Sequence, residues 1–107
     1  MSKKKQIAVI SGASSGIGEA IAKEFASHGT TVILGARSTN KLEQIVDNIV
    51  SSGGRAYSFY LNFLDDDSIQ NFINRVNTIG DVNTIINNSG FGKFDKIENV
   101  PISDWDE

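Results

Sequence analysis

Three glycines and three serines stand close together near the amino terminus, in the run Ser11-Gly12-Ala13-Ser14-Ser15-Gly16-Ile17-Gly18. Glycine lets the backbone turn sharply and lets a ligand approach it closely, because it has no Cβ atom. Where a helix begins, free N–H groups and the positive end of the helix dipole attract anions. With the hydroxyls of Ser14 and Ser15 as further donors, this spacing predicts a cradle for a phosphate group.

Such a cradle requires a strand before the glycines and a helix after them. The run Ile7-Ala8-Val9-Ile10 is continuously apolar, as expected of a strand that is buried on both faces. A helix is predicted from about Gly16 to His28. Its apolar stripe would consist of Ile17, Ile21 and Phe25, which recur at helical spacing.

The rest of the chain repeats this alternation of apolar runs and amphipathic segments. Further strands are predicted at Val32 to Leu34, Ala56 to Leu61 and Val82 to Ile86. Helices are predicted from about Asn40 to Ser52 and from Asp65 onward, the latter with the stripe Ile69, Phe72, Ile73 and Val76. The alternation predicts the α/β class: one incomplete domain over residues 1–107, with a doubly wound parallel sheet of about four strands and helices on both faces.

Two motifs resemble those of a known family. The glycine run is similar to the T-G-x-x-x-G-I-G signature of the short-chain dehydrogenase/reductase family, with Ser11 in place of Thr. After the fourth strand, Asn87-Asn88-Ser89-Gly90 resembles the family's N-N-A-G, with Ser89 in place of Ala. The resemblance identifies the chain as the N-terminal, dinucleotide-binding Rossmann portion of such an enzyme. Taken alone, the second motif is also compatible with an ordinary polar turn after a strand.

The resemblance implies a nicotinamide dinucleotide site at the carboxyl ends of the strands. The implied cofactor-binding residues are Gly12, Ser14, Ser15, Gly16, Ile17, Gly18, Arg37, Ser38, Asn62, Phe63, Asn88, Ser89 and Gly90. Asn62 stands where the family usually has Asp beside the adenine. Its side-chain oxygen is expected to accept a hydrogen bond from the adenine amino group, and Phe63 is expected to pack along the adenine ring.

The residues after the second strand favour NADP(H) over NAD. An NAD-specific fold of this kind places a carboxylate about 20 residues beyond the glycines, but Ala36 stands there and Arg37 follows it. A guanidinium can hold the 2′-phosphate of NADP, which a carboxylate would repel. Ser38 adds a hydroxyl. Two points weigh against this: many NADP-preferring members have a basic residue where Ser15 stands, and Arg37 is alternatively a solvated cation.

No catalytic residue is predicted within this chain. Family members exchange a hydride with a small-molecule carbonyl or alcohol substrate, using a Tyr, a Lys four residues later and a Ser. The two tyrosines, Tyr57 and Tyr60, are followed four residues later by Leu61 and Leu64, and are interpreted as packing residues. The chain is therefore expected to be the cofactor-binding segment of an NADP(H)-dependent oxidoreductase, truncated before its catalytic half and inactive alone. A stand-alone nucleotide-binding or sensor module and a non-functional fragment are the alternatives.

Composition argues against other functional classes. Ten Lys and Arg residues against thirteen Asp and Glu give a net charge of −3, so no nucleic-acid partner is expected. There is no cysteine, and no metal site is expected. No apolar stretch approaches the roughly 20 residues of a membrane span, so a cytoplasmic location is expected. The fourth strand would lie at an edge of the sheet, which predicts a homo-oligomer formed through that edge.

Overall fold

The computed structural model describes residues 6–88. Its strands are β1 (Ile7–Ser11), β2 (Thr31–Ala36), β3 (Ala56–Tyr60) and β4 (Thr84–Asn87), and its helices are α1 (Gly16–Ser27), α2 (Thr39–Ser51) and α3 (Asp66–Ile79). The strands are parallel, in the order β3-β2-β1-β4. The predicted α/β fold of Rossmann type is confirmed. Two predicted site residues, Ser89 and Gly90, lie outside the described residues.

The two central strands explain the continuous apolar runs in the sequence. Every residue of β1 and of β2 is buried, as expected where helices cover both faces of a parallel sheet. The register pairs Ile7 with Thr31 at one end and Ser11 with Gly35 at the other. The carboxyl ends of the strands therefore share one edge of the sheet, from which the glycine run departs.

Alternate strand residues serve two separate cores, because successive side chains of a strand point to opposite faces. On one face, Val9 and Ile33 pack in a cluster with residues of α3, among them Phe72. On the other face, Ile10 and Leu34 pack with residues of α1 and α2. The predicted stripe of α3 is confirmed, since all four of its residues are buried.

Helix α1 packs through a different face from the one predicted. Its buried residues are Gly18, Ala22 and Ala26, whereas Ile17 is 69% exposed. The prediction that Ile17 belongs to the packing stripe is therefore wrong, and the other two members of that stripe are only partly buried. The physical reason is a close approach: a Cβ atom at Gly18 would lie 2.6 Å from the Cα atom of Ala13, so only a face of small residues fits there.

Two further predictions need correction. Strand β4 begins at Thr84 rather than Val82. Just before it, the backbone N–H of Asn83 donates to the carbonyl of Ile7 at 2.8 Å, but the N–H of Ile7 donates to the side-chain oxygen of Asn83, also at 2.8 Å, rather than to a backbone carbonyl. Tyr57 and Tyr60 are 45% and 49% exposed, so their interpretation as packing residues is wrong. Among the described strands, β3 pairs only with β2 and forms one edge of the sheet, which leaves these side chains partly uncovered.

Two possible features are absent from residues 6–88. No helix in this range has the length and apolarity needed to cross a bilayer. Nor do three or more His, Asp or Glu side chains of this range converge as metal ligands.

Candidate functional site

A cleft of about 240 Å³ opens at the carboxyl ends of β1, β2 and β3. Its lining comes from the three segments that follow these strands and consists of Gly12, Ser14, Ala36, Arg37, Ser38, Leu61, Asn62, Phe63 and Leu64. Six of these residues were predicted from the sequence, all except Ala36, Leu61 and Leu64. Open parallel sheets bind their ligands at this edge, so the cleft is the candidate site even though larger hollows exist elsewhere on the surface.

The glycine run forms a tight loop that leads into α1. Gly12 has a φ of +67°, a conformation that favours glycine, and its N–H donates to the carbonyl of Gly35 on β2 at 2.8 Å. Ser15 caps the helix, because its Oγ accepts from the N–H of Gly18 at 3.1 Å. The same hydroxyl donates to the carbonyl of Gly12 at 3.2 Å. These bonds hold the start of α1 at the cleft.

The other two predicted glycines serve different purposes. A Cβ atom at Gly18 would lie 2.6 Å from the Cα of Ala13 and 2.7 Å from the carbonyl oxygen of Gly12, so packing within the chain demands glycine. A Cβ atom at Gly16 would meet no atom within 4 Å. The lack of a side chain at Gly16 is therefore not required by packing among the described residues. It leaves the start of α1 open to a ligand, as an approaching pyrophosphate requires.

Asn88 braces this loop from the end of β4. Its Nδ2 donates to Ser15 Oγ at 2.7 Å and to the carbonyl of Gly12 at 3.2 Å. The hydroxyl of Ser15 thus has its proton and both lone pairs engaged within the described residues, and its role as a donor to a phosphate stays a prediction. Next to it, Ser11 Oγ donates to Asn87 Oδ1 at 2.9 Å. Within residues 6–88, the asparagines of the second motif therefore hold the glycine run in place through hydrogen bonds.

The start of α2 carries fewer acidic residues than the starts of α1 and α3. The first turn of α2 contains no acidic residue, whereas α1 has Glu19 and α3 has two aspartates in the corresponding turns. Ser38 occupies the N-cap of α2, but its side chain makes no capping hydrogen bond. Arg37 precedes it and is exposed at the cleft. A helix dipole, a hydroxyl and a guanidinium therefore meet at one corner of the cleft.

The predicted residues Asn62 and Phe63 lie on the β3 side of the cleft, and their contacts with adenine stay a prediction. Phe63 lines the cleft, but it is only 7% exposed and belongs to the core cluster with α3, so little of its ring is left for a ligand. Leu64, which the sequence did not single out for the site, is 71% exposed. Asn62 Oδ1 already accepts the backbone N–H of Leu64 at 3.0 Å. The bond from Leu64 to Asn62 closes an Asx turn, and an Asn at this position is a sequence signal for such a turn.

Comparison with known proteins agrees with this geometry. A family model described as short chain dehydrogenase matches residues 6–107. The chain belongs to the short chain dehydrogenase family. An uncharacterized oxidoreductase of Bacillus subtilis, YxbG, is 34% identical over 105 residues, which cover 96% of this chain and 38% of the relative.

Two solved structures superpose on the chain. An alcohol dehydrogenase from Thermococcus sibiricus, complexed with 5-hydroxy-NADP, is 37% identical with a TM-score of 0.73, covering 77% of this chain and 36% of that one. A metagenomic short-chain oxidoreductase in complex with NADP is 39% identical with a TM-score of 0.75, covering 81% and 40%. The chain spans about two fifths of the length of the curated relatives that it matches.

Proposed function

We propose that this chain forms the NADP(H)-binding part of a short chain dehydrogenase that exchanges a hydride with a carbonyl or alcohol substrate. The proposal depends on one observation above all. The cleft joins Gly12 and Ser14 of the glycine run, which leads into α1, to the corner formed by Arg37 and Ser38. A dinucleotide phosphorylated on its ribose needs both features, one for the pyrophosphate and one for the 2′-phosphate.

The corner at α2 supports NADP(H) rather than NAD through its charge. Ala36, at the end of β2, is 9% exposed and carries no carboxylate for the ribose hydroxyls. The next side chain, Arg37, offers a planar fork of donors that suits phosphate oxygens. Because no acidic residue lies in the first turn of α2, nothing there opposes a phosphate dianion. The NADP, NADPH and 5-hydroxy-NADP complexes of similar solved structures are consistent with this assignment.

The catalytic residues that move a proton during hydride transfer are proposed to lie outside this 107-residue segment. The bound nicotinamide would supply or accept the hydride, and this chain would hold the adenosine half. Neither Tyr57 nor Tyr60 is followed by Lys four residues later. For that reason a stand-alone nucleotide-binding module is a second candidate. The two candidates differ in one outcome: a longer polypeptide that contains this segment would reduce carbonyls with NADPH only if the first is right.

Calorimetric titration of the full 107-residue chain with NADP⁺ and with NAD⁺ tests the cofactor assignment. We expect NADP⁺ to bind more tightly and Arg37→Ala to weaken NADP⁺ binding at least about tenfold, because a charged hydrogen bond is worth about 1.5–3 kcal/mol. NAD⁺ binding should be nearly unchanged, since NAD⁺ lacks the 2′-phosphate.

Arg55→Ala is the matched control for this titration. Arg55 is an exposed arginine that directly precedes β3, at the amino-terminal edge of the sheet and therefore opposite the cleft. Its removal changes the net charge equally but should leave both affinities unaltered. If both variants lose NADP⁺ affinity equally, Arg37 acts only through its contribution to the net charge and does not contact the 2′-phosphate. Equal affinity for the two dinucleotides in the unaltered chain would contradict the NADP(H) assignment.

A further inference from the structure

Strand β3 leaves one of its two edges unpaired within residues 6–88. Its sequence, Ala-Tyr-Ser-Phe-Tyr, contains none of the charged residues or prolines with which proteins commonly prevent an edge strand from pairing with another chain. Two of its side chains, Tyr57 and Tyr60, are about half exposed. The edge is therefore a candidate interaction surface. It runs along the side of the sheet, whereas the candidate cleft lies at the carboxyl ends of the strands.

Two hydrogen bonds between β3 and β2 determine which backbone groups of β3 point outward. The N–H of Val32 donates to the carbonyl of Arg55 at 3.1 Å, and the N–H of Leu61 donates to the carbonyl of Ala36 at 3.0 Å. In a parallel ladder, every second residue of a strand bonds to the same neighbour, so the odd-numbered residues of β3 bond to β2. The outward N–H and C=O groups belong to the even-numbered residues, which are Ala56, Ser58 and Tyr60.

This spacing makes the free edge complementary to itself. In an antiparallel pair, every second pair of opposed residues exchanges both backbone hydrogen bonds. A two-fold axis through Ser58 sets Ser58 opposite Ser58 of a second copy and Ala56 opposite its Tyr60, so all the outward groups find partners. Between these positions, Tyr57 lies against Phe59 of the second copy, an aromatic pair of the kind that stabilises sheets. We propose that β3 binds β3 of a second copy of this chain in this antiparallel register.

The charges beside β3 favour an antiparallel partner over a parallel one. Arg55 precedes the strand and is exposed, whereas Asp65 and Asp67 line a hollow at the other end of the strand. No ion pair joins any of these three side chains to another residue in the range 6–88. The cation that lines the same hollow, Arg75, stacks over the Phe59 ring at 5.6 Å. An antiparallel copy brings each arginine at position 55 toward the aspartates of the other copy, whereas a parallel copy sets like charges side by side.

The expected complex is a closed but transient dimer. A two-fold axis uses the same surface on both copies, so pairing through β3 ends at two chains. A strand of five residues forms a small interface, and small interfaces are typical of weak encounters. Covalent trapping therefore detects this pairing more readily than sedimentation does.

Disulfide trapping tests the register, because the chain contains no cysteine. Ser58→Cys places a thiol on the two-fold axis, where opposed Cα atoms lie about 5.5 Å apart, a usual separation for a disulfide. Every variant also carries Thr84→Lys, which opposes pairing through β4. In a buffer of oxidised and reduced glutathione, we expect Ser58→Cys to give at least about tenfold more covalent dimer than the control. The control is Ser27→Cys, at an exposed position on α1, a helix that packs on β1 and β2.

A mixture of two variants checks the register independently. The proposed pairing sets position 56 opposite position 60, so an equimolar mixture of Ala56→Cys and Tyr60→Cys should give more mixed disulfide than either homodimer. Adding Ser58→Pro to both chains removes an outward N–H that the fold does not use, which an edge strand tolerates. The mixed disulfide should then fall at least about tenfold, while urea unfolding reports whether the chain still folds. Should the proline variant not fold, Ser58→Lys replaces it, because it sets two like charges opposite each other.

Three results would overturn the proposal. The first is equal dimer from Ser58→Cys and Ser27→Cys, which would assign the disulfide to random collision. The second is a mixed disulfide that does not exceed the homodimers of Ala56→Cys and Tyr60→Cys, which would exclude the register. The third is undiminished trapping in a folded Ser58→Pro or Ser58→Lys chain, which would exclude pairing through the backbone of this edge.

Discussion

The three glycines of the glycine loop differ in whether the fold requires a glycine there. Gly12 is required by its left-handed backbone, Gly18 by contact with the main chain of Ala13, and Gly16 by neither. Ser15 and Asn88 are likewise committed to the loop itself by the bonds between them. The residues left to meet a ligand are therefore fewer than the motif suggests.

Alanine substitutions should separate packing from ligand approach at two of these glycines. Gly18→Ala places a Cβ against backbone atoms, and we expect unfolding free energy to fall by about 1–3 kcal/mol, the usual cost of overpacking. Gly16→Ala should alter stability by less than about 0.5 kcal/mol, because its Cβ meets nothing within 4 Å and its φ is not in the left-handed region. Urea titration measures both.

NADP⁺ titration completes the comparison of the two glycines. Gly16→Ala should weaken NADP⁺ binding despite its normal stability, since the new methyl group occupies the open side of α1. A Gly16→Ala protein that binds NADP⁺ as tightly as the unaltered chain would show that no phosphate approaches the backbone there.

Helix α1 shows how packing distance overrides hydrophobic pattern. The large apolar residues of α1 recur at helical spacing, yet the helix turns its small residues toward the sheet, with Ala22 fully buried and Ile17 mostly exposed. Close contact between the start of α1 and the glycine loop sets this rotation. In α2 and α3 the large apolar residues face the core as their spacing predicts. Glycines make room for two of them, because a Cβ atom would lie 2.7 Å from the Phe72 ring at Gly35 and 2.8 Å from the Ile49 side chain at Gly54.

The orientation of α1 predicts that a substitution at the small residue Ala22 destabilises the chain more than one at the large apolar residue Ile17. Ala22→Leu should destabilise the chain by about 1–3 kcal/mol, because the added methylenes have no room between α1 and the sheet. Ile17→Ser should change stability by less than about 0.5 kcal/mol, as is usual for an exposed position. Thermal or urea denaturation measures both. A larger effect at Ile17 than at Ala22 would mean that the stripe predicted from the sequence is the packing face.

At the scale of the whole molecule, the order of the strands places two of them at the ends of the described sheet. β3 pairs only with β2, and β4 pairs only with β1, within residues 6–88. An unpaired strand edge presents N–H and C=O groups that another chain can complete. The prediction of a homo-oligomer through β4 therefore stays a prediction, with β4 (Thr84–Asn87) as its contact.

Sedimentation velocity at tens of micromolar tests self-association through β4. We expect a concentration-dependent dimer for the 107-residue chain, and mostly monomer for Thr84→Lys, because a lysine on an edge strand opposes pairing. Thr78→Lys, at an exposed position on α3, adds the same charge away from that edge and should not change the dimer. A monomer in the unaltered chain, or a dimer that persists in Thr84→Lys, would exclude this interface.

The class of fold, the family and the positions of the elements to within a few residues all follow from the amino-acid sequence. Alternation of buried strands with amphipathic helices is a local pattern, and the motifs at Gly12 and Asn87 are contiguous in the chain. Which side chains are already hydrogen-bonded within the chain is visible in the folded structure alone. Asn88 and Ser15 are 73 residues apart in the chain, but they bond each other because they follow strands that are neighbours in the sheet. Asn62 Oδ1 accepts a hydrogen bond from the backbone N–H of Leu64. The Asn88–Ser15 bond depends on the distance between two segments, which spacing along one chain does not contain, whereas the Asn62 turn is local and has its own sequence signal.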